Sequence, residues 1–366
     1  MKVVFCIPDL GCGGAERVIS NLANAWATKF QVTVITLTPQ SSDFYPFDKA
    51  VSRICISRKK TRWYEIFSQF NTVKELSFRF KKIKPDYIIS FLPKMNILAL
   101  IATIGTQFRV IACERNVIND PDMDFRQHFL RGILYKRAYK ITVQHEEIYA
   151  EFFKKYPLTQ RNKVFITPNP VNEFQEKHKS DPTTLFRTFG KKNKLLIGVG
   201  RFTKTKAFKD MIEVFSVVNA LDSSIKLAIF GDGPEFDDCK FLINKLGLAD
   251  SIALPGPTNN LNSWYACANL FITTTKHEGF PNALAEALSA GLPVIAFGAP
   301  SISVLVKDNQ NGYVINNRDK DQMAKKIVEL LANPDSLLLF SSEAKKISKE
   351  YSFENMSDIW LNEVLC

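Results

Sequence analysis

Residues 2–38, KVVFCIPDLGCGGAERVISNLANAWATKFQVTVITLT, decide the fold. KVVFCIP is a short β-branched run that reads as a strand. AERVISNLANAWATKF carries apolar residues at helical spacing, and QVTVITLT is a second strand run. Strand, glycine turn, helix and strand make the βαβ unit of a parallel sheet covered by helices. The alternation continues through DYIISFL, FRVIAC and KITV, then pauses at VFITPNPVNEFQEKHKSDPTT, where Asn-Pro turns and polar residues interrupt it. It restarts with KLLIGVG, SIKLAIFG, SIALPG, LFITTT and LPVIAF. The expected architecture is two α/β units joined by a hinge near residues 167–182.

Composition agrees. The chain has 366 residues, 46% apolar and 23% charged, which suits two globular domains and excludes a disordered chain. Its seven cysteines form no CxxC pair and no Cys/His ligand spacing, the pattern of reduced thiols in a cytosolic protein. The start, MKVVFCIPDL, is too short and too interrupted for a signal peptide. The most apolar stretch, YIISFLPKMNILALIATIG, is broken by Pro93 and Lys94, so no membrane span is expected. The formal charge of +11 is uneven. Residues 1–170 hold 26 Lys/Arg against 14 Asp/Glu (+12), and residues 171–366 hold 22 against 23 (−1). The first half is therefore expected to meet an anionic partner.

Four stretches carry candidate chemistry. In GCGGAER (11–17), Gly13 and Gly14 let backbone approach a phosphate at a helix start. A dinucleotide fingerprint fails there, because Glu16 stands at its third glycine and no acid follows the second strand. In VGRFTKTKAFKDMI (199–212), Arg201 and Lys206 sit past a strand end, where two cations can clamp a diphosphate and neutralise a leaving group. IFGDGPE (229–235) offers Gly231 in a turn at the same sheet edge. In TTTKHEGFPNALAEALSAGLPVIAF (273–297), Glu278 precedes a helix and Glu286 lies about one turn inside it. Pro281 suits the first helical turn and leaves neighbouring N–H groups for an anion. Two carboxylates there are acceptors for vicinal hydroxyls, which points to sugars.

GGAER, GRFTKTK, GDGP and HEGFPNALAEALSAGLPVIA, in this order, resemble glycosyltransferase family 4 over nearly the whole chain. The resemblance implies the GT-B fold, two Rossmann-like domains facing a cleft: residues 1–170 binding acceptor, 171–345 binding a nucleotide sugar, and a C-terminal helix (346–366) packing back on the first. It implies retaining transfer without a metal or other cofactor. Glu278 would contact donor hydroxyls, Glu286 the ribose, Arg201 and Lys206 the diphosphate, and the backbone of Gly279, Phe280, Pro281, Asn282, Ala283 and Leu284 the phosphates and sugar. Two departures stand out. Ala207 replaces the glycine usual after the motif lysine, and Glu114-Arg115-Asn116 stands where many members carry a histidine. Glu114 and Arg115 are therefore expected as acceptor-side residues, with a structural ion pair at a strand end as the competing reading. The Glu-Arg-Asn variant looks like the subgroup that builds bacterial surface glycans on lipid carriers.

Two further features invite over-reading. DPDMD (120–124) has the Asp-x-Asp spacing of metal-dependent transferases but follows a polar loop, and His145 is a lone histidine after a strand. Neither is expected to act. Residues 57–85, SRKKTRWYEIFSQFNTVKELSFRFKKIKP, place Trp63, Ile66, Phe67, Phe70, Val73, Leu76, Phe80 and Ile83 on one apolar face, with Lys74, Arg79, Lys81, Lys82 and Lys84 elsewhere. The segment suits an anionic membrane surface or a lipid diphosphate, with a core-packing helix whose basic face is merely solvated as the competing reading. The expectation is a UDP-sugar-dependent hexosyl- or N-acetylhexosaminyltransferase acting on a lipid-linked glycan, cytoplasmic and peripheral to the membrane, with no nucleic acid partner. A UDP-sugar epimerase of the same fold and a basic nucleic-acid-binding protein are the alternatives.

Overall fold

The computed structural model describes residues 1–11, 13–56, 65–118, 123–171, 173, 174, 193–258 and 260–365, and the side chains of all but 65–68 among them. Most of the proposed hinge, the first eight residues of the basic segment and Asp120 and Asp122 lie outside this set.

The chain divides into two compact units, Met1–Pro170 with Met356–Cys366, and Val171–Asn355. In the first unit the strands are β1 (Lys2–Cys6), β2 (Gln31–Thr36), β3 (Ser52–Cys55), β4 (Tyr87–Phe91), β5 (Arg109–Cys113), β6 (Lys140–Val143) and β7 (Val164–Ile166). They form one sheet in the order β3-β2-β1-β4-β5-β6-β7, every pair parallel. Val3 to Cys6 are buried without alternation, as a central parallel strand covered on both faces requires. The helices are α1 (Gly14–Trp26), α2 (Glu65–Ile83), α3 (Pro93–Ala102), α4 (Phe125–Leu134) and α5 (Glu146–Lys155).

The second unit repeats the plan. Strands β8 (Lys194–Val199), β9 (Ile225–Phe230), β10 (Ile252–Gly256), β11 (Leu270–Thr273), β12 (Val294–Phe297) and β13 (Gly312–Ile315) run in the order β10-β9-β8-β11-β12-β13, again all parallel. Its helices include α6 (Phe208–Leu221), α7 (Phe236–Lys245), α8 (Leu261–Cys267) and α9 (Asn282–Ser289).

The basic helix departs from its expected face. Leu76 and Phe80 of α2 are buried, but Phe70 and Phe78 are 57% and 56% exposed. They alternate with Lys74, whose Nζ lies 4.6 Å from the Phe70 ring centre. Phe70, Lys74 and Phe78 are spaced by four, so they share one helix stripe, and exposed Lys81 and Lys82 follow it.

The C-terminal residues also sit differently from the expected 346–366 helix. Ile347 packs in the core of the second unit, and the return to the first begins at Met356. There Met356, Trp360 and Val364 are buried as their spacing predicts, while Phe353 and Ile359 are half-buried. Trp360 stacks on Phe91 at 6.3 Å and meets Trp26 edge-on at 6.2 Å; Trp26 Nε1 donates to Ser357 Oγ at 3.1 Å. Removing an indole with no exposed surface leaves a cavity the sheet cannot close. Trp360→Ala should cost about 3–5 kcal/mol, seen in urea unfolding as early loss of the first unit.

Candidate functional site

A parallel sheet leaves an open crevice where its strand order reverses, at the carboxyl ends of the two strands flanking the switch. In the second unit those strands are β8 and β11. The loop after β8 carries Arg201 and Lys206, and the loop after β11 carries Glu278. The topology thus joins two motifs more than seventy residues apart: Lys206 Nζ lies 2.6 Å from Glu278 Oε1, with both side chains partly exposed.

The two loops are tied below this pair. Thr274 Oγ1 donates to the carbonyls of Lys206 (3.1 Å) and Ala207 (2.9 Å), and Lys276 N donates to Thr205 O at 2.8 Å. From the other side, Arg318 donates to the carbonyls of Thr274 (2.8 Å) and Thr275 (3.3 Å). The threonines and Arg318 carry no motif that would single them out in the sequence. Their part follows only from the crossing of the loops.

Arg201 is exposed and, among the described residues, its side chain makes no hydrogen bond or ion pair. Gly279, Phe280 and Pro281 are buried, with the Phe280 ring 6.0 Å from Tyr351. Pro281 is the residue before α9 and supplies no side-chain cap, so nothing from that position covers the N–H groups of Ala283 and Leu284. Elsewhere α4 has its first turn capped by Asp124, through Gln127 N at 2.7 Å. Glu286 follows on α9, half-buried. Lys206 and Glu278 thus meet at this sheet edge, with Arg201 in the same loop as Lys206 and Glu286 further along α9.

Gly231 belongs to the same edge for a packing reason. Its φ is +130°, and a Cβ there would lie 1.9 Å from Gly200 O. Gly233 meets Phe202 backbone in the same way, while Phe202 N donates to Asp232 O at 2.7 Å. The GDGP turn holds the Arg201 loop in place by backbone contact that only glycine permits.

In the first unit the reading changes. Gly13 precedes α1 and Gly14 opens it, but a Cβ on Gly13 would stand 2.2 Å from Glu16 Oε2. The Glu16 side chain itself fills the space beside Gly13 at this helix start, and burial pushes its carboxyl above the usual range.

Glu114 and Arg115 fit the competing structural reading. Glu114 is 0% exposed, binds Arg131 Nη2 at 2.5 Å and accepts from the Tyr135 hydroxyl and from Asn96 Nδ2. Arg115 is buried too, donating to Thr167 O (2.9 Å), Asn169 Oδ1 (3.0 Å) and Thr167 Oγ1 (3.2 Å), its guanidinium 5.0 Å from the Phe91 ring centre and 5.5 Å from that of Trp360. Both are structural, and Glu114 takes Arg131 rather than its sequence neighbour as partner. His145 is buried at the start of α5, and Asp124 of DPDMD is the α4 cap.

With this geometry in view, comparison with known proteins is informative. The two sheets match the GT-B fold of solved structures. Anabaena HepE, solved with UDP and glucose, superposes with a TM-score of 0.85 at 16% identity, covering 100% of this chain and 99% of that one. The family model "Glycosyltransferase Family 4" matches residues 12–173 and "Glycosyl transferases group 1" matches 184–347. Together they span most of the chain, which belongs to glycosyltransferase family 4. A similar relative is the GalNAc-alpha-(1->4)-GalNAc-alpha-(1->3)-diNAcBac-PP-undecaprenol alpha-1,4-N-acetyl-D-galactosaminyltransferase of Campylobacter jejuni, 27% identical over 99% of this chain and 97% of that one. Another is the amylovoran biosynthesis glycosyltransferase of Erwinia amylovora, 25% identical over 96% of each.

Ala207 shows why a glycine is usual at its position. It adopts φ 51°, ψ 45° just before α6, a left-handed conformation that costs a side-chain-bearing residue about 1–2 kcal/mol. Glycine removes that cost and forfeits about 0.5–1 kcal/mol of unfolded-state entropy. Ala207→Gly should therefore stabilise by about 0.5–1 kcal/mol, read as a higher urea midpoint at unchanged slope.

Proposed function

We propose that this glycosyltransferase moves a hexose or N-acetylhexosamine from a UDP-sugar to a lipid-linked (polyprenyl-diphosphate) glycan or surface polysaccharide, with retention at the anomeric carbon. The observation that carries the donor half is the Lys206–Glu278 pair at the β8/β11 switch point. A cation for the diphosphate and a carboxylate for sugar hydroxyls lie one contact apart, so a ligand held by both places its sugar–phosphate bond between them. Arg201 and the start of α9, where Pro281 gives no side-chain cap, supply further positive potential for the departing UDP, charge stabilisation that does not require a metal. The sugar C1–O bond to the β-phosphate breaks, the acceptor oxygen bonds C1 on the same face, and the acceptor proton passes to the departing phosphate oxygen. Glu286 takes the ribose hydroxyls. The UDP complex of HepE supports the choice of nucleotide, and the undecaprenol-linked substrate of the Campylobacter relative supports the acceptor class.

The acceptor class implies work at a membrane surface, on its cytoplasmic face. Among the described residues no helix is long and apolar enough to cross a bilayer. The exposed stripe of Phe70, Lys74 and Phe78, with Lys81 and Lys82, fits peripheral docking instead: aromatic rings at the interface and lysines on anionic headgroups, each cation contributing about 1 kcal/mol.

Two outcomes follow. Arg201→Ala, Lys206→Ala and Glu286→Ala should each abolish UDP release from the productive member of a UDP-sugar panel with a polyprenyl-diphosphate glycan, while circular dichroism stays native. Full activity in any one removes that residue from the site, and turnover without acceptor would indicate epimerisation. Separately, the protein should co-sediment with phosphatidylglycerol vesicles at moderate salt. Lys→Glu changes at positions 74, 81 and 82 should release it; binding indifferent to them rejects the docking surface.

A further inference from the structure

We propose that Arg318 is a positioning residue, fixing the Lys276–Pro281 loop against Lys206. The proposal rests on the donor site described above and concerns what holds it.

Sheet pairing on β11 ends at Thr273, opposite Ala296. Thr274 and Thr275 therefore leave the sheet as buried residues whose carbonyls need partners from outside it. Arg318 supplies them, through Nη2 to Thr274 O at 2.8 Å and Nη1 to Thr275 O at 3.3 Å. Its third contact is Asp210, in the first turn of α6, with Nη2 2.5 Å from Oδ2. Thr274 Oγ1 in turn holds the carbonyls of Lys206 and Ala207, just before α6.

These contacts close a ring: Arg318, Asp210, the start of α6, Ala207 and Lys206, Thr274, and back to Arg318. Both active loops are members, and the Lys206–Glu278 pair belongs to the same two loops. Lengthening any contact in the ring moves one loop against the other.

The chemistry asks for arginine. Two carbonyls and a carboxylate lie in different directions, a set that a planar fork of donors meets and a single ammonium does not. The guanidinium also lies over the ring of Phe297 on β12, 4.6 Å from its centre. Asp210 shares its other oxygen with Lys320 at 3.3 Å; burial alone would raise this carboxyl, but Arg318 and Lys320 hold it below its ordinary range. The backbone is strained to deliver the side chain: Asn317 and Arg318 have φ of 55° and 53°, two successive non-glycine residues in the left-handed region. Strain of this kind persists where surrounding contacts over-determine it and clusters at functional sites.

The test uses the full chain carrying Arg318→Gln or Arg318→Lys, with two readouts. Amide hydrogen exchange across residues 276–284 should accelerate by at least about tenfold in both variants, while exchange in β8, β9 and β12 stays as in the parent. Turnover number for UDP release should fall on the order of tenfold to a hundredfold, the loss expected of a small misplacement, with donor KM changed less than about threefold. Arg318→Lys keeps charge and stem, so it reports even if Arg318→Gln does not fold. Unchanged exchange at 276–284 in a folded variant overturns the proposal, as does a lysine variant with parental exchange and turnover. If the parent itself releases no UDP from any sugar in the panel, the donor reading fails, and the exchange measurement alone decides the role of Arg318.

Discussion

Arg115 is a charge with almost no water around it, and much of the first unit is organised to make that tolerable. A buried guanidinium is stable only where its donors are met and its faces are covered. Thr167 and Asn169 accept from Nη1 and Nη2, and Phe91 and Trp360 lie against the group. Those four residues come from the end of β4, from the last residues before the chain enters the second unit, and from the segment that returns. One side chain thus anchors both places where the chain passes between units, on the first unit's side. Glu114 beside it is held by Arg131, Tyr135 and Asn96, so two adjacent charged residues are accommodated by two unrelated sets of partners, and only Glu114 has an opposite charge among the partners named.

The second unit solves a different problem with the same sheet. Its switch point has to present cations and carboxylates without letting the loops that carry them drift. Glycine does part of this, by letting the β9 loop press against Gly200 and Phe202. Hydrogen bonds from Thr274 and Arg318 do the rest. The side chains of Arg201, Lys206, Glu278 and Glu286 keep some exposure, whereas Thr274 and Thr275 are buried and Arg318 is paired with Asp210.

Legibility in the sequence followed the length and symmetry of the signal. The central strands, β1, β4, β5, β8, β9, β11 and β12, are apolar runs buried on both faces, and each was readable. The edge strands β3 and β13 are four residues long, and β7 is three; their half-buried residues resemble loop, and β7 sits against the Asn-Pro turns that suggested a hinge. Residues 199–212 and 273–297 were readable as a site because strand ends and a helix start bracket them. Glu114 and Arg115 misled for a physical reason. A charged pair at a strand end looks the same in sequence whether it faces solvent or closes on Arg131 and Trp360, and only the packing of distant elements distinguishes the two. Phe70 misled conversely, its spacing fitting the buried face while its helix turns it outward.

The return of residues 356–365 has a consequence for the order in which the protein can be made. Residues 171–355 form a unit whose parts are contiguous, so it has every contact it needs once its own segment has left the ribosome. The first unit does not. Trp26 and Phe91 emerge early, but the indole that covers them belongs to a residue synthesised after the whole second unit. At roughly 5–20 residues per second, the intervening stretch takes on the order of 10–40 s to translate. During that interval the amino-terminal sheet carries an unfinished apolar surface, so the half that is made first is completed last.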